Sequence, residues 1–258
     1  MLTGRREAVT LSGTRHDKEV LGMQQGGASL REELATATRV LARHELIGMF
    51  GHVSVMTDDP QRYLVCPGAG QRKDRCRATD VIELDLDHEF EPGLPLELYM
   101  HSEAHRLKPD TIGSLIHVHS PALTTLSSMA DVPSELLMLH ASFWPESMPL
   151  YEETDLVRKR EEAVRMIEIL GGEALLLLRW HGAVIVGATL REAVFRAILA
   201  ETHARQLLAA LSHGRPLKPV PSDVSRSELY PRMLPPRTHD MHWVYEGSFA
   251  PEPPGARP

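Results

Sequence analysis

Helix-period and strand-period segments alternate along this chain, and the alternation predicts an α/β fold. Three observations carry that prediction. Leu30, Leu34, Ala37 and Leu41 recur at helical spacing behind Ser29 and Glu32, a pair spaced as a capping box. Gly51–Met56 and Tyr63–Val65 flank a turn at Asp58-Asp59-Pro60 and read as a hairpin. Ala174–Leu178 is a continuous apolar run, the pattern of a strand covered on both faces.

Whole-chain properties narrow the function. The 258 residues suffice for one substantial core or two small ones. Thirty-five acidic against 28 basic residues give a net charge of -7, which argues against nucleic acid as a partner. No apolar run approaches the roughly 18 residues of a membrane span, so no membrane association is expected. Met1–Thr10 has arginines without an apolar stretch behind them, so it is not a signal peptide. Cys66 and Cys76 imply no disulfide framework, and a reducing cytoplasm is the expected compartment.

Taken in order, residues 1–28 are polar and glycine-containing and read as a flexible N-terminal arm. A helix is expected over Leu30–Glu45, followed by the hairpin. Next comes Cys66-Pro67-Gly68-Ala69-Gly70-Gln71-Arg72-Lys73. Its glycines let backbone N–H groups turn toward an anion, and Arg72 and Lys73 add charge. An ordinary Gly/Pro turn with solvated charges has the same composition. Val81–Asp87 is a further strand candidate. Glu97–Leu107 reads as a helix stopped ahead of Pro109. Glu97, His101 and His105 would share one face of it, as a wet stripe or as groups delivered to a metal.

Ser120 and Pro121 cap and start a helix over Pro121–Met129. Leu136–Trp144 and Met148–Tyr151 look extended or irregular. Asp155–Leu170 is amphipathic and stops at Gly171-Gly172. His181-Gly182 separates the apolar run from a second strand, Ala183–Val186. Thr189 and Glu192 form a second capping box, opening a long helix over Leu190–Leu211. Ten of the nineteen prolines fall in residues 215–258, so this tail is expected to hold no long helix. Its Trp243, Tyr245 and Phe249 suggest packing onto the domain or a neighbouring subunit.

The stretch Ser114–Ser120 carries the first functional signal. On a strand, residues two apart share a face, so His117 and His119 project together while Ile116 and Val118 face the other way. Paired imidazoles are costly to bury without a use, and a divalent metal is a common user. An edge strand with two solvated histidines fits the same motif.

Four pieces in order resemble the class II aldolase/adducin family across roughly residues 29–214. They are Gly51-His52-Val53-Ser54, Glu97-Leu98-Tyr99-Met100-His101, Lys108-Pro109-Asp110 leading into His117-Val118-His119, and His181-Gly182-Ala183. The resemblance implies a three-layer α/β/α fold with a central, mainly antiparallel sheet. It implies a homotetramer with active sites between subunits. It also implies one divalent metal ion per subunit, zinc, manganese or iron, held by His117, His119 and His181, with Glu97 as a fourth ligand or a base.

Departures from the family's sugar-phosphate members carry information too. Those members have asparagine where His52 stands, hydroxyl residues in the loop at Gly68-Ala69-Gly70, and two serines where this chain has Pro95-Leu96. Ser142 stands where the epimerases carry an acid. With hydroxyl donors missing, a phosphate site is poorly equipped. Gly-His-Val-Ser and Pro-Gly-Ala-Gly instead resemble the branch that decarboxylates hydroxy-aromatic carboxylates. That resemblance implies an aromatic carboxylate substrate, with Glu97, His52 and His101 as candidates for moving the proton. Ser54, Gly68, Gly70, Arg72 and Lys73 are the candidates for binding the substrate. A retro-aldol lyase on a non-phosphorylated hydroxy acid, an iron-dependent oxidative decarboxylase and an adducin-like interaction module are the alternatives.

Overall fold

The structure, a computed structural model, describes residues 29–221 and 223–253; the expected arm over 1–28 lies outside the described residues. Helix α1 (Leu30–Arg43) is followed by strands β1 (His52–Met56), β2 (Arg62–Val65) and β3 (Ile82–Asp85). Helix α2 (Tyr99–Leu107), β4 (Ser114–Val118) and α3 (Pro121–Ser127) come next. The central part ends with β5 (Leu150–Tyr151), α4 (Arg160–Leu170), β6 (Leu175–Leu178), β7 (Gly182–Gly187) and α5 (Leu190–Ser212). Two tail helices, α6 (Arg226–Met233) and α7 (Pro236–Ser248), complete the described chain.

One sheet runs β3-β2-β1-β4-β7-β6-β5, and every neighbouring pair is antiparallel except β5 with β6. Alternation sorts the side chains into two layers. Val53, Val55, Ile116, Val118 and Ile185 join the core beneath α1, α3 and α5. Leu115, Val184 and Val186 join the core beneath α2 and α4. This is the three-layer α/β/α arrangement the resemblance implied. In β6 the four leucines feed both cores in turn. Each contributes roughly 1.5–3 kcal/mol by burial, which is why this strand carries no polar alternation.

Register then places the polar residues. His52 pairs with His117 and Ser54 with Leu115 across β1 and β4. Opposed residues share a face, so His52, Ser54 and His117 all point toward the layer that holds α2.

Several expected elements shift. The helix expected from Glu97 begins at Tyr99, so Glu97 is not on its face with His101 and His105. The helix expected from Asp155 begins at Arg160. Val157 gives its N–H to Glu97 Oε1 at 3.1 Å, and Arg158 and Lys159 give theirs to Glu162, so these three amides are capped outside the helix. Thr189 caps α5 as expected, but Glu192 takes the Ala188 N–H, so the capping box is only half formed. Ser120 makes no side-chain cap; buried Glu201 receives the Ala122 and Leu123 N–H groups instead.

The tail departs most. Helix α7 runs 13 residues, because Pro236 sits at its first helical position, where no N–H bond is lost. It packs on α5 and α1, and Arg191 joins Asp240 at 2.7 Å. Of the three tail aromatics, Trp243 packs against the core while Tyr245 and Phe249 stay exposed. Among the described residues no helix is long and apolar enough to cross a membrane.

Candidate metal and active site

Four ligand-type side chains converge at one end of the sheet. Glu97, His117, His119 and His181 offer ligand atoms that all lie within 4.8 Å of one another. Strand β4 supplies His117, and the residue just past its end supplies His119. His181 comes from the β6–β7 turn. Gly182 makes that placement possible, since a Cβ there would lie 2.0 Å from Val118 O. The three imidazole rings stand 4.5–4.8 Å apart. Glu97 Oε2 lies 3.2 Å from His117 Nε2 and 3.6 Å from His181 Nε2.

The protonation pattern is informative. His117 Nδ1 lies 3.0 Å from the Ala183 carbonyl, which can only accept, so Nδ1 carries the hydrogen. In the neutral ring Nε2 then holds a lone pair. That nitrogen is buried, makes no hydrogen bond, and faces a carboxylate oxygen. Two acceptors directed at one point need a proton or a metal cation between them, and three imidazoles with a carboxylate are a donor set that fits a divalent ion. The Ala183 carbonyl fixes the orientation of the His117 ring, as outer hydrogen bonds do for imidazoles that ligate metals.

Electrostatics prepare these groups as ligands. Burial pushes the Glu97 carboxyl up, but His117, His181 and the Val157 amide outweigh it and hold it down at about 2. Burial, with His117 and His181 beside it, depresses His119 to about 3. Burial and His117 also lower His181. The Glu97 carboxylate is ionised and the His119 and His181 imidazoles are neutral near pH 7.

A cavity of about 290 Å³ opens beside the cluster. Met49, Phe50, Pro95, Leu96 and Leu156 form apolar walls, and His52, Lys73, Glu97, His119 and His181 also line it. Phe50 lies 5.8 Å from the His119 ring. A larger cavity, about 620 Å³, lies beside α7. Its charged residues Glu33, Arg191 and Asp240 pair with one another and Glu192 pairs with Arg196, whereas the smaller cavity meets the histidine and glutamate cluster.

The predicted substrate-binding residues separate. Lys73 is buried, lines the cavity and donates to Gly51 O. Arg72 is exposed, bonded to Asp74 at 2.7 and 2.5 Å, and does not line the cavity. Gly68 packs against Leu94 O, where a Cβ would come within 2.4 Å, and its N–H is spent on Gly93 O at 3.0 Å. Ala69 rather than Gly68 or Gly70 lines the cavity. Ser54 is fully buried between two imidazoles, 2.7 Å from His101 Nδ1 and 2.9 Å from His105 Nε2. His101 is also buried, bonded to His52, and outside the cavity wall. Ser142 is buried away from the cavity.

Sequence reasoning missed Met49, Phe50 and Leu156 as cavity residues. Their only signal is apolar side chains beside glycine or in a presumed helix, which marks a core position equally well.

A family model described as the class II aldolase and adducin N-terminal domain matches residues 32–208. The chain belongs to that family. It is 31% identical over 222 residues to a 3,4-dihydroxyphthalate decarboxylase from Arthrobacter keyseri, covering 78% of this chain and 86% of the relative. It is 29% identical over 221 residues to a 3,4-dihydroxyphthalate decarboxylase from Terrabacter sp. strain DBF63, covering 78% and 89%. Among solved structures, an aldolase II superfamily protein from Pseudomonas syringae superimposes with a TM-score of 0.72 at 20% identity, over 89% of this chain and 96% of that one. Relatives include decarboxylases and a protein named after the class 2 aldolases, and the chain is an enzyme of the lyase class.

Proposed function

We propose that this chain is a metal-dependent decarboxylase of a hydroxylated aromatic carboxylate. The observation that carries the proposal is the composition of one cavity: apolar walls, a three-histidine and glutamate cluster at one end, and a buried lysine. The similarity to two dihydroxyphthalate decarboxylases supports it.

His117, His119 and His181 hold the ion, with Glu97 as fourth ligand. When bound, a divalent ion there stabilises negative charge on the substrate's oxygens as a Lewis acid. Lys73 receives a carboxylate: no carboxylate among the described residues pairs with it, and one bond to Gly51 O leaves it further donors. A phosphate asks for more donors than this wall offers. Pro95 has no N–H, the Gly68 N–H is spent, and Arg72 is turned to Asp74. Met49, Phe50, Pro95, Leu96 and Leu156 cover an aromatic ring and exclude water.

One of three candidates remains to move the proton. Glu97 is held ionised as a ligand, and His101 lies behind the wall. His52 lines the cavity. It takes the substrate's hydroxyl proton at Nε2 and returns it to the ring carbon that bears the carboxylate. The new C–H bond uses a ring electron pair. The C–CO₂ bond then breaks, its pair restores the aromatic ring, and CO₂ leaves.

Met49, Phe50, Leu96 and Trp180 are exposed apolar side chains, three of them on the cavity wall and Trp180 adjacent to His181. They support burial of this face in a symmetric oligomer, a homotetramer by the family resemblance. A monomer by light scattering at micromolar concentration would refute that assembly.

The activity is tested by CO₂ release from a panel of hydroxybenzoates and hydroxyphthalates, with and without chelator, beside aldehyde release from aldol and sugar-phosphate substrates. Chelator-sensitive CO₂ release is expected. Aldehyde release with no CO₂ from any aromatic acid overturns the proposal in favour of an aldolase.

A further inference from the structure

Hydrogen bonds around α2 run in single file behind the cavity wall. His105 Nδ1 lies 3.1 Å from Ile112 O, and His105 Nε2 lies 2.9 Å from Ser54 Oγ. Ser54 Oγ lies 2.7 Å from His101 Nδ1, and His101 Nε2 lies 2.7 Å from His52 Nδ1. His52, Ser54, His101 and His105 are all buried. Of the three imidazoles only His52 lines the cavity, and no hydrogen bond among the described residues engages its Nε2.

The file has one stable polarity. A carbonyl has no proton to give, so His105 Nδ1 donates to Ile112 O. A second proton on His105 would bury a charge with no carboxylate bonded to it, and burial holds this imidazole down at about 4. Its Nε2 is therefore an acceptor, and Ser54 donates its hydroxyl proton there. Ser54 Oγ then accepts from His101 Nδ1–H. His101, also lowered by burial and by His105, is neutral and accepts at Nε2 from His52 Nδ1–H. Reversing the last link alone makes His101 a buried cation, and reversing the whole file makes His105 one.

We propose that this file, anchored on the Ile112 carbonyl, holds His52 in the Nδ1–H tautomer, so that Nε2 meets the cavity as a bare acceptor and selects substrates that present a hydroxyl proton. The tautomer stands on the hydrogen bonds alone; the substrate half rests on the aromatic-acid proposal above. Ser54, His101 and His105 are positioning residues that act through His52, which explains a strictly polar row on a face otherwise packed with leucine and valine. A neutral ring with its hydrogen on Nδ1 has only a lone pair at Nε2, and until a substrate carboxylate offsets its charge the Lys73 ammonium on the same wall opposes a second proton there.

The tautomer is read by nitrogen-15 NMR of the full chain labelled at histidine, at pH 7, with His52→Gln used to assign the signal. A His52 with its hydrogen on Nδ1 is expected; a hydrogen on Nε2 overturns the proposal, whatever any variant does. Calorimetry of 2-hydroxybenzoate and benzoate binding supplies the second arm. Ser54→Ala should weaken 2-hydroxybenzoate about tenfold and benzoate less than about twofold, since one hydrogen bond is at stake. Ser54→Thr, which keeps the hydroxyl, should restore the preference. Equal weakening of both acids, or of neither, overturns the selection step. An Nδ1–H His52 in a protein that binds neither acid supports the relay and refutes the aromatic-acid proposal instead.

Discussion

Two sets of histidines, one buried and one with His119 and His181 half-buried, gather at one face of this sheet, and they differ in what their nitrogens meet. In His52, His101 and His105 the buried nitrogens are matched, donor to acceptor, out to a backbone carbonyl. In the cluster of His117, His119 and His181, the free nitrogens converge with a carboxylate oxygen on one point. Burial depresses His52, His101 and His105, and it depresses His119 and His181 as well, so pKa direction does not separate the sets. The separating feature is whether a lone pair is left over. His203 shows why the lone pair matters more than the missing partner. Its Nδ1 is also buried without a partner, but Nε2 accepts from Leu137 N–H at 3.0 Å. The orphan nitrogen of His203 therefore carries a hydrogen and offers nothing to a cation.

The largest expected effect breaks the cluster. His119→Ala should lose the bound metal and lower CO₂ release by more than about 100-fold, given that even outer partners of ligands cost 10–100-fold. Elemental analysis beside the assay checks this. Ser54→Ala should keep its metal at the wild-type ratio; if it loses metal as readily, the two sets are not distinct.

His203 sharpens the comparison through pH. Burial lowers it to about 4, against an ordinary value of 6.5. The unfolded chain takes up a proton below 6.5 while the folded chain does not, so stability falls as pH drops from 6.5 toward 4. The loss is on the order of 3 kcal/mol across that window. Urea unfolding of wild type and His203→Gln at pH 7 and pH 4.5 should show the variant losing less. Equal losses in the two proteins would exclude His203 as the source.

Lys73→Met should raise KM for an aromatic acid by about 10–100-fold, the equivalent of a charged hydrogen bond of 1.5–3 kcal/mol. Metal content and kcat should change much less, because a remote carboxylate contact is mostly uniform binding. Unchanged KM would place the carboxylate elsewhere. The smallest effect is expected next door. Arg72→Ala should change KM and kcat less than about twofold, since it removes only an exposed pair with Asp74.

The neighbours Arg72 and Lys73 mark where local pattern ends. Composition makes them equal candidates. The short 3₁₀ turn over Lys73–Arg75 buries Lys73 against Gly51 O and leaves Arg72 outside, and only packing decides that. Ser54 shows the same boundary: strand period places it on the face of His52, while the neighbours of its hydroxyl depend on where α2 comes to rest. The start of α4 was illegible for a similar reason, since the Val157 N–H is claimed by a carboxylate 60 residues away. By itself the sequence determined the alternating faces of β4, the apolar strands and the capped long helices, because those follow from periods of two and 3.6 and from bonds a few residues long. Tertiary structure alone decided which lone pairs converge and which hydrogen bonds close into a file, because those depend on contacts between residues distant in the chain.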